Sequence, residues 1–466
     1  MIVVFAIFTL LTFMLCLIRP KWVVYLFCFL VPVEYFFVFG DRLAGEGHTL
    51  IKFVSVGLLG GWICQMIRSP EYFKHVLGHL SWRPLVALAA FGLISILWVD
   101  DPRGSLLGVY KNLSGGLLIL SLFSLIGNLR ELGFCLKALF AGMILCATYT
   151  LYQYYVLIPA GVIQGVRAGD FTGGHSVNHT AELLTVGFPL CLFAYRQRLS
   201  RFWRTVSIFA GFIMIAAVAT TLSRTAYATV GLFVLIEGFS ALRKSRIAFA
   251  SLLILCVVIA AAVATKRLDQ SVFNERVEKT AAIFSDEAST FQSSSRASEY
   301  RLQHWMGAIA MFLDHPLFGV GSGGYGRAFG EEYQFTYGNQ NSRVFGINRT
   351  AHSTTFTLLA ELGVVGFAFW VWFMWVWYKS CFGSYLFTRL RAQESYVLLL
   401  RAWWVLFVVL CTINHASHHK ILWLVAGLSF VFQKTAQMSV TAKQSKLDNK
   451  PIVSLVRDNV HRLRVS

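Results

Sequence analysis

Two arginines and a histidine are the side chains whose types and positions point most directly to chemistry. Arg224 lies in the short turn TLSRTA (221–226), Arg301 near the start of YRLQHWMGAIAMFLDHPLFGVGSGGY (300–325), and His352 at the head of AHSTTFTLLAELGVVGFAF (351–369). Each stands where an apolar run meets a polar one. A guanidinium is planar, and its paired donors match two oxygens of a phosphate. An imidazole that titrates near neutrality can take the proton of an alcohol. Together these groups can hold the charge that develops on a departing phosphate-type group while a hydroxyl attacks. No Asp-x-Asp pair occurs in the chain to hold a divalent ion under such a group, so arginine clamping with neither metal nor organic cofactor is the expectation. The plainer readings are arginines that snorkel to lipid phosphate and a histidine that only caps or solvates a helix start.

Other polar groups are candidates of a second rank. Lys111 lies inside an apolar run, an expensive place for an ammonium, so it is a substrate-binding candidate, with snorkelling as the alternative. Glu182 and Glu361 raise the same question, and bundle-internal hydrogen bonds are the favoured answer for both. His175, Asn178 and His179 fall in a connection between apolar runs, where they either touch substrate or form a plain loop. His415, His418 and His419 have a spacing that can share one helical face, but no acidic residue or cysteine is near them in sequence. An outer-surface cluster is the expectation there. Gly321, Gly323 and Gly326 match a dinucleotide fingerprint by spacing only. No strand precedes them and no helix visibly opens after them, so a glycine-rich turn following Pro316 is expected.

The elements that must position these residues follow from composition. The 466 residues are 56% hydrophobic and 14% charged, with a mean hydropathy of +0.61, which requires lipid as solvent. Apolar runs near 1–18, 22–39, 50–67, 84–99, 105–126, 132–158, 181–195, 205–222, 225–241, 247–264, 353–378, 396–413 and 420–433 predict an all-α polytopic membrane bundle of about 12–13 transmembrane helices. The first run is expected to be a retained helix rather than a cleaved signal peptide. As a single helix, 205–241 would be about 55 Å long, nearly twice a bilayer core, so it must be a hairpin turning near Ser223-Arg224-Thr225.

The net charge of +18 is concentrated in alternate connections and in the C-terminal tail, the positive-inside pattern, which argues for contact with membrane lipids and against nucleic acid. Nine basic and nine acidic residues balance between Thr265 and Thr350, as an exported loop can carry. Within that loop, Leu302, Met306, Ile309 and Leu313 recur at helical spacing, predicting an amphipathic helix from Ser298 to Asp314 that lies on the outer leaflet or packs on the bundle. The expected organisation is a bundle over 1–264, a large periplasmic loop over 265–351, a second bundle part over 352–435, and a basic cytoplasmic tail over 436–466.

Two features carry a family resemblance. His352-Ser353 followed by Gly363 and Gly366 resembles the signature shared by O-antigen ligases and bacterial protein O-oligosaccharyltransferases. The segments 300–325, TLSRTA and RAGDFTGGHSVNHTAELL (167–184) are similar to the pieces that surround it in that family, in the same order. The glycines are also plausible as simple close-packing positions between helices. The resemblance implies an inverting transfer of a polysaccharide from undecaprenyl diphosphate to lipid A–core on the periplasmic face of a bacterial inner membrane. It gives Arg224 and Arg301 the diphosphate and His352 the acceptor hydroxyl. A polymerase using the same lipid-linked donor is the nearest alternative, and a protein O-oligosaccharyltransferase is next. A secondary anion transporter is the alternative from another class, with discontinuous helices at mid-bilayer as its mark.

Overall fold

The computed structural model describes residues 2–36, 38–39, 48–79, 82–99, 102–161, 168, 177–197, 201–242, 295–333, 350–383, 393–414 and 419–448. The chain is a bundle of α-helices. Its one strand pair among these residues is a two-residue antiparallel ladder, β1 (Val38–Phe39) and β2 (His48–Thr49), with Val38 opposite Thr49. In chain order the helices are α1 (Ile2–Ile18), α2 (Pro20–Leu30), α3 (Leu50–Arg68), α4 (Pro70–His79), α5 (Arg83–Ile94), α6 (Pro102–Leu125), α7 (Leu129–Tyr152) and α8 (Val177–Arg196). They continue as α9 (Arg201–Thr221), α10 (Arg224–Leu242), α11 (Ser295–Asp314), α12 (Tyr325–Ala328), α13 (Thr354–Phe382), α14 (Glu394–Ile413) and α15 (Lys420–Asp448). Among the described residues, 8 helical stretches are long and apolar enough to cross a membrane, and the shorter apolar helices Ile7–Ile18, Arg83–Leu97 and Thr225–Val234 accompany them. The protein is a multi-pass membrane protein of the all-α class. The run expected at 247–264 lies outside the described residues.

Local chemistry explains several boundaries. Pro20, Pro70 and Pro102 open α2, α4 and α6, where a missing N–H costs nothing. The run expected to span 22–39 stops as an α-helix at Leu30. A 3-10 turn, Val31–Phe36, follows, with Pro32 lacking a donor and Val33 in a non-helical conformation. The expected hairpin within 205–241 is present: α9 ends at Thr221, Leu222 takes a positive φ of 50°, and α10 begins at Arg224. α11 begins at Ser295, three residues before the predicted Ser298. Its stripe of Leu302, Met306, Ile309 and Leu313 is exposed. The opposite face of α11 buries Ala308 and Met311 against Tyr325 and Phe329, so the helix uses both sides.

Polar side chains tie the helices at both ends of the bundle. At one end Lys21, in the first turn of α2, pairs with Glu131 at 2.5 Å, and Glu131 in turn takes the Gly127 N–H in a capped start to α7. Gln197, after α8, donates to Ser395 of α14 at that same end. At the other end Lys420 of α15 pairs with Glu34 beyond α2, and Thr49 donates to the same carboxylate. Between these ends lies an apolar core in which Trp377 and Trp403 are fully buried, the Trp403 indole donating to the Val186 carbonyl at 3.0 Å.

The feature that most shapes the site is a break in α13. Gly363 has φ 60° and ψ −165°, a conformation open essentially only to glycine, so the helix comes in two parts. The interruption strands carbonyls of the first part and N–H groups of the second. The turn after α11 satisfies them: Val320 N donates to Ala360 O (2.9 Å) and Gly321 N to Glu361 O (2.8 Å). In the reverse direction, Val364 N donates to Pro316 O (2.9 Å) and Val365 N to Leu317 O (3.3 Å). Gly363 is therefore a backbone-conformation position, a stronger requirement than the close packing suggested by its sequence context. A methyl group there would overlap the Leu317 carbonyl as well as adopt a strained φ. Gly363→Ala should cost about 1–3 kcal/mol from backbone strain alone, read as a lowered melting temperature in detergent. Gly231→Ala, in open space on α10, should leave it unchanged or slightly raised.

Candidate active site

The turn that splices into α13 also fixes the approach to His352. It is wedged between helices: Ser322 N donates to Ser95 Oγ (3.0 Å), the Trp98 indole donates to Gly319 O (3.2 Å), and Gly108 of α6 leaves room for Ser322. Immediately after Gly324 the chain does open a helix, α12, contrary to the sequence expectation. That first N–H of the helix is taken up within the chain: Tyr325 N donates to the Glu361 carboxylate at 3.4 Å. Lys111, one turn along α6 from Gly108, interacts electrostatically with that carboxylate. Lys111 therefore joins Glu361 and the glycine turn, more than two helical turns along α13 from His352.

α12 presents Tyr325 and the following turn presents Phe329 to His304, a residue that sequence reasoning passed over. His304 is 2% exposed. Its ring stacks on Phe329 at 4.3 Å between centroids, and Nδ1 lies 2.9 Å from the Tyr325 hydroxyl. That hydroxyl donates its proton to the His304 carbonyl, also at 2.9 Å. Donation to the carbonyl is compatible with the tautomer that carries the ring proton on Nδ1 and leaves Nε2 as the acceptor. Burial, followed by the nearby His352, pushes the His304 pKa down to about 4, so this imidazole is neutral at physiological pH. The His352 ring stands beside it, 5.8 Å between centroids and nearly perpendicular at 81°. Arg301 lies one turn before His304 on the same side of α11. Arg301 and His352 are thus brought to one neighbourhood, with His304 between their elements. The signal for His304 was present as an i, i+3 relation to Arg301.

His352 itself has a positive φ of 53°, uncommon for a residue with a Cβ, and it is held there by its flanks. The cap of α13 is Ser353, whose side chain accepts from Phe356 N at 3.3 Å, so the histidine is not the capping group. Ala351 N donates to Thr357 Oγ1, while Thr354 N and its hydroxyl donate to the Asn414 carbonyl at 3.1 and 3.3 Å.

A second group forms around the start of α8. That helix begins at Val177, so Asn178 and His179 occupy its first turn rather than a loop, whereas His175 lies outside the described residues. Ser223, immediately before Arg224, donates to Asn178 Oδ1 at 3.2 Å. This anchors the backbone of the arginine hairpin on α8; the Arg224 side chain lies outside the described residues. His179 meets His419, ring centroids 4.1 Å apart, and Glu182 lies 3.2 Å from His419 Nδ1. The acidic partner that His419 lacks in its own stretch of sequence comes from a distant helix, and the cluster is partly buried rather than an outer-surface group. His415 and His418 lie outside the described residues. Glu182 Oε1 accepts from Asn414 Nδ2 at 2.5 Å, which links this group to the head of α13.

A family model described as O-antigen ligase matches residues 209–371. The chain carries a domain of the O-antigen ligase family. No curated protein sequence matches the chain. The ligase domain runs from within α9, through the arginine hairpin and α11, to the part of α13 beyond its break. It therefore includes Arg224, Arg301, His304, His352, Gly363 and Gly366, and leaves out Lys111, Asn178, His179, Glu182, Asn414 and His419. The family is one of ligase- and polymerase-type glycosyltransferases that act on lipid-linked glycans.

The buried neutral state of His304 sets a pH dependence. Its folded pKa of about 4 lies below the ordinary value near 6.5, so the unfolded chain binds more protons and stability is lost as pH falls from about 6.5 towards 4. Melting temperature in detergent should decline over that range, and His304→Gln should flatten the decline. An equal slope in the variant would remove His304 as its source.

Proposed function

We propose that the protein transfers a glycan from undecaprenyl diphosphate to a hydroxyl of lipid A–core, with inversion, at the periplasmic face of the bacterial inner membrane. The observation that supports this most is the pairing of His352 with a buried, neutral His304 on the same helix face as Arg301, at the point where the chain re-enters the bundle. In this reading the acceptor oxygen attacks the anomeric carbon and its proton passes to His352. The bond from that carbon to the diphosphate oxygen breaks, and its electron pair leaves on the diphosphate. Arg301 and Arg224 stabilise that developing charge by bidentate contacts. His304, unable to take a second proton near pH 7, keeps like charge away from His352 as it becomes an imidazolium. Lys111 and Asn178 would then contact the donor or the glycan.

A broken helix such as α13 is also a mark of transporters, in which unwound backbone commonly coordinates solutes. Here the turn 316–321 occupies the freed groups at the break, which argues for a rigid scaffold. Deleting the gene and examining lipopolysaccharide on a gel separates the two enzymatic readings. Loss of a ligase leaves core-only lipid with polymer stranded on its carrier, whereas loss of a polymerase leaves core bearing a single unit. In the deletion background, His352→Ala and Arg301→Ala should each reduce transfer by about 100-fold or more while the protein still accumulates in the membrane. Full activity of His352→Ala would end the assignment.

A further inference from the structure

Outside the ligase domain, His179, Glu182 and His419 form a cluster that the proposed transfer does not use. We propose that these three side chains bind a divalent transition-metal ion of the zinc class, stapling the first turn of α8 to the start of α15. The ligand atoms of the three residues all lie within 4.8 Å of one another. His179 Nδ1 is 3.2 Å from both Nδ1 and Nε2 of His419, and His419 Nδ1 is 3.2 Å from Glu182 Oε2. Ligands about 2.0–2.1 Å from a tetrahedral zinc ion stand about 3.3 Å apart, so these edges already have the required length. His179 and Glu182 are related by i, i+3 and share one side of α8.

The carboxylate supplies an independent observation. Glu182 is 5% exposed, and its Oε2 is buried and accepts no hydrogen bond. A buried carboxylate oxygen with no hydrogen bond and the His419 ring nitrogen at 3.2 Å is answered either by an imidazolium or by a metal ion shared with that ring. Its other oxygen is held by Asn414, the outer contact that fixes a ligating carboxylate in one-oxygen coordination. Two imidazoles and one carboxylate favour zinc, cobalt or nickel over magnesium or calcium, which take oxygen donors. A fourth position would be left for water.

The ion would sit where it can brace the catalytic elements. The Asn414 carbonyl also accepts from Thr354, two residues after His352, and Asn178, in the same turn of α8 as His179, accepts from Ser223 next to Arg224. This is a positioning role, and it stands whether the domain works as ligase or polymerase.

The test uses the full chain, stripped with EDTA in detergent and titrated with Zn²⁺, with Co²⁺ as a spectroscopic probe. Saturable binding of a single ion per chain is expected, with a rise in melting temperature and a visible cobalt absorption that reports nitrogen and oxygen ligands in tetrahedral geometry. His179→Gln, His419→Gln and Glu182→Gln should each weaken binding by about 100-fold or more, and Asn414→Ala by about 10–100-fold. Glu182→Gln keeps an acceptor for Asn414, so it distinguishes loss of a ligand from loss of the fold. Absence of saturable Zn²⁺ binding in the wild-type chain, or binding unchanged in Glu182→Gln, overturns the proposal. Neither readout depends on glycan transfer, so failure here and failure of the transferase reading are separable.

Discussion

The splice between the turn 316–321 and the broken helix α13 is the constraint on which the rest of this molecule depends. A helix interrupted inside a membrane exposes backbone groups that lipid cannot satisfy, at several kcal/mol each. The chain answers with its own backbone: four hydrogen bonds cross between the turn and the two parts of α13. Because main-chain groups make the connection, side-chain substitution cannot easily loosen it. What can loosen it is loss of the three positive-φ glycines at the contact, Gly319, Gly321 and Gly363. Everything attached to that turn, including α11 before it and α12 after it, inherits its position from α13.

That inheritance explains the arrangement around His352. The histidine is at one end of the first part of α13, and the splice is at the other. α11 leads directly into the turn, so its inward face is held against the same helix part, and His304 comes to rest beside His352. Tyr325 and Phe329 close the far side of His304 because α12 starts where the turn ends. The left-handed conformation of His352 is a local cost that a floppy loop would not sustain. It persists because Ser353, Thr354 and Thr357 lock the residues on either side.

Part of this was legible from residue order. Hydropathy run length identified the helical bundle, and the length limit on 205–241 identified the hairpin at Arg224, since both follow from bilayer thickness alone. Spacing alone found the outward stripe of α11, Leu302 to Leu313. It could not find the inward face, because His304, Gly307 and Ala308 are not an apolar series. Periodicity reports what a helix offers, and only the partner explains a buried histidine. The contact between Glu182 and His419 was invisible for a related reason: it joins α8 to α15 by tertiary packing, and the three histidines near residue 417 held attention to their own segment. Gly363 was read as a packing position because spacing carries no information on φ.

Charge placement follows from the same energetics that shape the backbone. Inside the bundle, Lys111 and Glu361 interact electrostatically near the glycine turn, so neither imposes an isolated charge on the membrane interior. A diphosphate brings more negative charge than such a pair could absorb at that depth. The arginines suited to it belong to α11, outside the spanning helices, and to the hairpin turn that heads α10. In the proposed reading, water and lipid headgroups would there share the cost of solvating a diphosphate and its guanidinium partners, and the guanidinium geometry would supply selectivity. On the same reading the exposed stripe of α11 would rest on lipid and keep Arg301 at that level, while its opposite face stays against His352 through His304.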